Sequence, residues 1–207
     1  MDSRVEAVLA EYHERGTREE RLFSELPAEE AMRRRDEFLL CVGPDTGALL
    51  GLLVKGCGAR TILEIGTSYG YSTVWLAEAA RQTGGTVITL ELDARKVEYA
   101  RDALRRAGLE SQVDFRVGDA LELLPRMSGP VDFVLLDLWK DLYVPCFDLF
   151  HPKLPEGAIV VADNMLEPEI ARPAAEKYRA HLRATGRYDS VLLPVGSGVE
   201  VSRRIAR

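Results

Sequence analysis

From Arg60 onward, short β-rich apolar runs alternate with amphipathic stretches, and this alternation limits the possible folds more than any other feature. The β-rich runs are 61–65, 86–90, 113–117, 131–137 and 158–162. The stretches with helical periodicity are 71–81, 94–107, 120–127, 142–150 and 169–185. Apolar runs bounded by turn residues suit strands buried on both faces. Their alternation with helices predicts an α/β domain: a doubly wound parallel sheet with helices on both faces. Two further runs, 190–194 and 199–205, flank Gly196-Ser197-Gly198. They predict a hairpin, which makes the last of seven strands antiparallel.

Residues 1–57 contain no convincing strand. Val5, Val8, Leu9 and Tyr12 recur at helical spacing, as do Phe38 and Leu39, and Leu49, Leu50, Leu53 and Val54. Pro27 and Gly43-Pro44 divide this part into about three helices. The expected organisation is a helical cap over 1–57, part of the same domain, and a sheet-bearing domain over 58–207. A length of 207 residues suits one domain. Lys and Arg number 27 against 33 Asp and Glu, a net charge of −6, which weighs against a nucleic-acid or anionic-membrane partner. Cys41, Cys57 and Cys146 are odd in number and widely spaced, as in a reduced intracellular protein. The N-terminus lacks an apolar signal core, and the apolar run 133–138 is too short to span a bilayer. A cytoplasmic location follows as the expectation.

In doubly wound sheets, ligands bind beyond the C-terminal ends of the strands. After the first run comes Glu64-Ile65-Gly66-Thr67-Ser68-Tyr69-Gly70-Tyr71-Ser72, a turn whose glycines permit close approach of a ligand. Its G-x-x-x-G spacing leaves the G-x-G-x-x-G dinucleotide fingerprint incomplete, which counts against a nicotinamide dehydrogenase. Glu91, after the second run, suits a carboxylate accepting from ribose hydroxyls, whereas Asp93 suits a helix cap. Asp119, after the third run, could border an adenine, cap a helix, or do both. Asp137 and Lys140 follow the fourth run, and Asp163 and Asn164 follow the fifth. Two carboxylates and a carboxamide are hard oxygen donors of the kind that suit Mg²⁺. His13, His151 and His181 read as structural or solvent-exposed. Arg33-Arg34-Arg35 reads as a solvated helix face, with a substrate- or RNA-facing patch as the alternative.

Leu63-Glu64-Ile65-Gly66 through Gly70-Tyr71-Ser72, then Glu91, Asp137-x-Trp139-Lys140-Asp141-x-Tyr143 and Ala162-Asp163-Asn164 together resemble the metal-dependent, S-adenosylmethionine-dependent O-methyltransferases of the catechol and caffeoyl-CoA types. The likeness runs from about Phe38 to Ile205. It implies a Rossmann-like seven-stranded domain that uses S-adenosylmethionine and Mg²⁺ (or Mn²⁺ or Ca²⁺). By resemblance, Asp137, Asp163 and Asn164 hold the metal and Lys140 is the general base. Glu91 holds the ribose. Glu64, Gly66, Thr67, Ser68 and Ser72 line the methionine portion, and Asp119, Ala120, Asp137 and Trp139 the rest of the cofactor site. Val42 matches a helix segment that closes over the cofactor. The sequence departs from the catechol pattern in three places. No acid stands in 191–195, Phe38 replaces a tryptophan, and Leu138 replaces a polar residue.

The reaction so implied is methyl transfer to a hydroxyl of a small vicinal dihydroxy aromatic. A metal would acidify and orient that hydroxyl. Related enzymes are often homodimers. The competing readings are a methyltransferase acting on a hydroxylated tRNA nucleoside and a non-catalytic S-adenosylmethionine-binding module.

Overall fold

The structure is a computed structural model that describes residues 1–206, apart from the side chains of Ala28 and Met32. Its elements in chain order are α1 (Ser3–Glu25), α2 (Ala28–Arg34), α3 (Pro44–Cys57), β1 (Thr61–Ile65), α4 (Tyr71–Thr83), β2 (Thr86–Glu91), α5 (Ala94–Arg106), β3 (Val113–Val117), α6 (Ala120–Arg126), β4 (Phe133–Leu136), α7 (Tyr143–Phe150), β5 (Ile159–Ala162), α8 (Arg172–Ala184), β6 (Tyr188–Leu193) and β7 (Val199–Arg204). One seven-stranded sheet has the order β3-β2-β1-β4-β5-β7-β6. The first five strands pair in parallel, and β7 inserts antiparallel between β5 and β6.

Alternation along each strand feeds two cores. Ile62, Phe133, Leu135 and Val161 pack on one face with Val5, Val8, Leu9 and Tyr12 of α1, Leu50 and Val54 of α3, and the apolar side of α4. Leu63, Ile65, Val134, Leu136, Val160 and Ala162 turn to the other face, against α6, α7 and α8. Every residue of β4 is buried, as expected for a strand covered on both sides. Local chemistry sets several helix starts. Asp93 accepts from the Arg95 amide at 2.8 Å and Asp119 from the Leu121 amide at 2.8 Å, each as an N-cap.

Register fixes where the site can form. Ile65 pairs with Leu136, and Leu136 with Ala162. Gly66, Asp137 and Asp163 therefore leave three adjacent strands at one level. β1 and β4 are also where the strand order reverses, the usual place for a ligand crevice in an open α/β sheet.

Candidate functional site

The turn after β1 is forced by close packing. Gly66 has φ of +103°, and a Cβ there would lie 2.8 Å from the Asp137 carbonyl carbon and overlap its oxygen. Only glycine lets β1 and β4 diverge so narrowly. Gly70, at φ of +89°, is packed just as closely, since a Cβ there would meet that of Ala100 at 2.6 Å. Between them, Ser68 has φ of +48°, and its amide donates to Glu91 at 2.7 Å. Glu91 also accepts from the Asp93 amide at 3.0 Å. A carboxylate has about four acceptor positions. Two on Glu91 fix its orientation, and the rest stay open for hydroxyl donors.

Glu64, which the resemblance assigns to the cofactor site, has its own network of hydrogen bonds. It follows Ile62 onto the α4 face of the sheet and is completely buried. Its carboxylate accepts from Ser72, Thr73 and Thr89, each at 2.6 Å. It thus sits beneath the glycine turn and ties β2 and the first turn of α4 to β1. Burial pushes its pKa up to about 7, against the opposing pull of the three hydroxyls. Ser72 is committed to Glu64 as donor. Thr67 meets Thr89 at 2.5 Å and joins the same network.

Residues 38–43 form a strap across this turn. Leu39, Leu40, Cys41 and Val42 line one small cleft with Gly66, Thr67, Ser68, Tyr69, Tyr71, Ser72 and Asp137. Val42 belongs to extended chain before α3, not to a helix: Pro44 occupies the first helical turn, and Gly43 at φ of +83° redirects the chain. α1 holds the strap down. Glu19 accepts from the Leu39 amide at 2.6 Å and pairs with Arg15 at 2.6 Å. Arg15 stacks over Tyr69, whose hydroxyl donates to the carbonyl of Asp36 at 3.1 Å.

The ends of β4 and β5 bring four polar side chains together. Lys140 Nζ donates to Tyr143 Oη at 2.6 Å, Asn164 Oδ1 at 2.9 Å and the Leu138 carbonyl at 3.1 Å. It lies 3.8 Å from Asp137 Oδ1. Tyr143, fully buried, donates to the Asp163 carbonyl at 3.2 Å. Asn164 takes φ of +54°, which turns its carboxamide back toward Lys140. Burial raises the pKa of Asp137 and of Asp163, with the Asp137 charge adding to the rise at Asp163. Burial lowers the pKa of Lys140, against the two carboxylates.

Asp163 Oδ1 is buried with no hydrogen-bond partner. Such an atom is costly unless a cation or donor meets it. Among the described residues, no three His, Cys, Asp or Glu side chains gather as a metal site. The set at the β4 and β5 ends is two carboxylates and one carboxamide. All are oxygen donors, Lys140 supplies one positive charge against two carboxylates, and Asp163 Oδ1 has no partner. Asp137, Asp163 and Asn164 therefore fit a hard divalent cation.

Several other expectations meet a definite place. Asp119 caps α6, and Ala120 is its first residue. Trp139 is 45% exposed, with the Arg35 guanidinium 3.7 Å from its ring centre. The arginine run is not one solvated face: Arg34 pairs with Glu30 and Glu37, while Arg35 turns to Trp139. Phe38 is buried edge-on against Phe23 at 5.2 Å. His151 bonds Tyr188 and His181 meets Asp148. His13 reaches the cleft indirectly, through a 2.8 Å contact with the Tyr71 hydroxyl. Tyr143, Thr73, Thr89 and Glu19 were not among the expected site residues. Only Tyr143 carried a sequence signal, by its place in the Asp137–Tyr143 motif.

Known proteins resemble this chain in sequence and in fold. A sequence model of the O-methyltransferase family matches residues 13–205. A catechol O-methyltransferase of Niastella koreensis is 36% identical over 167 residues, covering 74% of this chain and 75% of that protein. A caffeoyl-CoA O-methyltransferase of Petroselinum crispum is 30% identical over 193 residues, covering 81% and 78%. The crystal structure of an O-methyltransferase from Bacillus cereus, in complex with SAH, superposes with a TM-score of 0.77. It is 29% identical, covering 99% of this chain and 91% of that one. No helix among the described residues is long and apolar enough to cross a membrane.

Proposed function

Because the chain belongs to the class I S-adenosylmethionine-dependent O-methyltransferase family, we propose that it methylates one hydroxyl of a small vicinal dihydroxy aromatic with help from a divalent cation. The observation that carries this reading is the meeting of Asp137, Lys140, Asp163 and Asn164 beside the Gly66 turn. Asp137, Asp163 and Asn164 would hold Mg²⁺, or Mn²⁺ or Ca²⁺, which when bound supplies positive charge that acidifies and orients a substrate hydroxyl.

The chain's own groups divide the remaining work. Gly66 lets the ends of β1 and β4 lie close together, and its backbone lines the cleft. Glu91, held by two amides, offers its open lone pairs to ribose hydroxyls. The strap from Leu39 to Val42 lines the cleft at Gly66 and would shield it from water. Transfer replaces a sulfur–carbon bond by an oxygen–carbon bond and releases the hydroxyl proton. Lys140 would take that proton as general base once its amine is neutral and one of its three donated hydrogen bonds is released; burial shifts its pKa in that direction. Tyr143 and Asn164 hold the amine in place.

The test is transfer of a labelled methyl group to a panel of vicinal diols, with Mg²⁺ and with EDTA. The expected result is an O-methyl product whose formation stops in EDTA and resumes with Mg²⁺. Undiminished turnover in EDTA overturns the metal role. SAH binding without product from any diol overturns the catalytic reading in favour of a binding module, and labelled tRNA would redirect it to a nucleoside.

A further inference from the structure

The acids near Arg35 are committed to other cations. Asp36 pairs with Lys96 at 3.3 Å, and Glu37 and Glu30 pair with Arg34 at 3.0 and 3.4 Å. Arg35 itself has no hydrogen-bond acceptor or carboxylate partner among the described residues. Its guanidinium instead lies 3.7 Å over the ring of Trp139. A guanidinium stacked on an aromatic uses its flat face and leaves the in-plane N–H donors free. Those donors form a fork that matches a carboxylate.

The position adds to the argument. Trp139 is half exposed and adjoins Lys140, and Arg35 begins the segment that runs into the strap. An unfilled fork is thus held against the residue that precedes Lys140, by two segments 104 residues apart in sequence. The stretch 191–195, on the hairpin behind the 165–167 loop, offers no acid. Against Trp139, next to Lys140 in sequence, the cation left without an anionic partner is therefore Arg35.

We propose that Arg35, stacked on Trp139, is a specificity-determining residue that binds a carboxylate carried by the acceptor, on its ring or on a short side chain. This rests on the methyl-transfer reading above, and it names the substrate class as dihydroxy-aromatic acids. With its carbon over the Trp139 ring, the guanidinium keeps its N–H edge free for the carboxylate. An acceptor anchored at Lys140 by its hydroxyl pair would meet that edge with its anionic end.

The experiment separates the two claims. Trp75 and Trp139 are the only tryptophans, so Trp75→Phe leaves Trp139 as the reporter of binding. Fluorescence titration with 3,4-dihydroxybenzoate, 3,4-dihydroxycinnamate and catechol then reads affinity without turnover, and kcat/KM is measured in parallel. The acids are expected to bind about 10- to 100-fold more tightly than catechol, the range for a hydrogen bond to a charged group. Arg35→Gln should abolish that preference, and Arg33→Gln, on the exposed neighbour, should leave it intact. An acid-to-catechol ratio within twofold in the parent protein, or one unchanged by Arg35→Gln, overturns the proposal. Arg35-dependent acid binding with no methylated product keeps the subsite and removes the methyl-transfer reading. Methylation of acids and catechol with equal kcat/KM does the reverse.

Discussion

Gly66→Ala puts the narrowest point of the site under test. The residue has φ of +103°, and the new methyl would lie 2.8 Å from the Asp137 carbonyl carbon, where ordinary contacts begin at 3.4 Å. Its overlap with the carbonyl oxygen is worse. The neighbour is backbone at the end of β4, so no side chain can swing aside. The positive φ costs about 1–2 kcal/mol, and forcing a methyl into packed backbone adds about 1–3 kcal/mol. For a chain of this length the sum corresponds to a fall in melting temperature on the order of 10 °C. The strand ends must part by on the order of 1 Å, enough to lower turnover about 100-fold. Gly58→Ala is the control: φ is +63° there and nothing lies within 4 Å, so it carries the conformational cost alone. Thermal unfolding of both variants and calorimetric SAH affinity check the reasoning. A melting temperature for Gly66→Ala no lower than for Gly58→Ala, with SAH affinity within twofold of the parent, refutes it.

Three further outcomes follow from the same geometry. The Glu64 pKa is raised from 4.5 to about 7, so its contribution to stability is full below about pH 4.5 and is lost as pH rises through 7. Glu64→Gln should match the parent near pH 4.5 and exceed it by roughly 3 kcal/mol near pH 8; urea unfolding with no widening gap between those pH values would disprove this. Lys140→Ala should lower kcat by about 100-fold or more with SAH affinity nearly unchanged, and a kcat within about twofold in initial-rate assays removes Lys140 as the base. Asp163→Asn loses an unpartnered buried carboxylate oxygen; it should abolish the rise in melting temperature that Mg²⁺ gives the parent protein, and an equal rise in both would remove Asp163 from the metal set.

The alternation of strands and helices was legible because period and turn residues are local properties. The expected strands at 61–65 and 113–117 match β1 and β3 residue for residue, and that at 131–137 shortens to Phe133–Leu136. The cap at Asp93 was equally plain, since a cap contacts amides two residues on, and Asp119, for which an adenine contact was the alternative or companion role, also caps its helix. The side-chain direction of Glu64 was harder. Period-two alternation sets it on the Ile62 face, yet its position before Gly66 suggested a ligand contact. Its partners are Thr89 on β2 and Ser72 and Thr73 on α4, and no local pattern joins those three positions.

The sequence by itself determined the elements, the glycine turn and the residue types at each strand end, because these depend on neighbours a few positions apart. The tertiary structure decided which strand ends meet. Pairing of β4 with β5 brings Lys140 to Asn164 and buries Asp163 with one oxygen unmatched. It also decided that Arg35 meets Trp139 while Asp36 and Glu37 turn to other cations. Contacts between residues 24 or 104 positions apart arise from strand order and helix packing, and those are set by the whole core rather than by any segment of it.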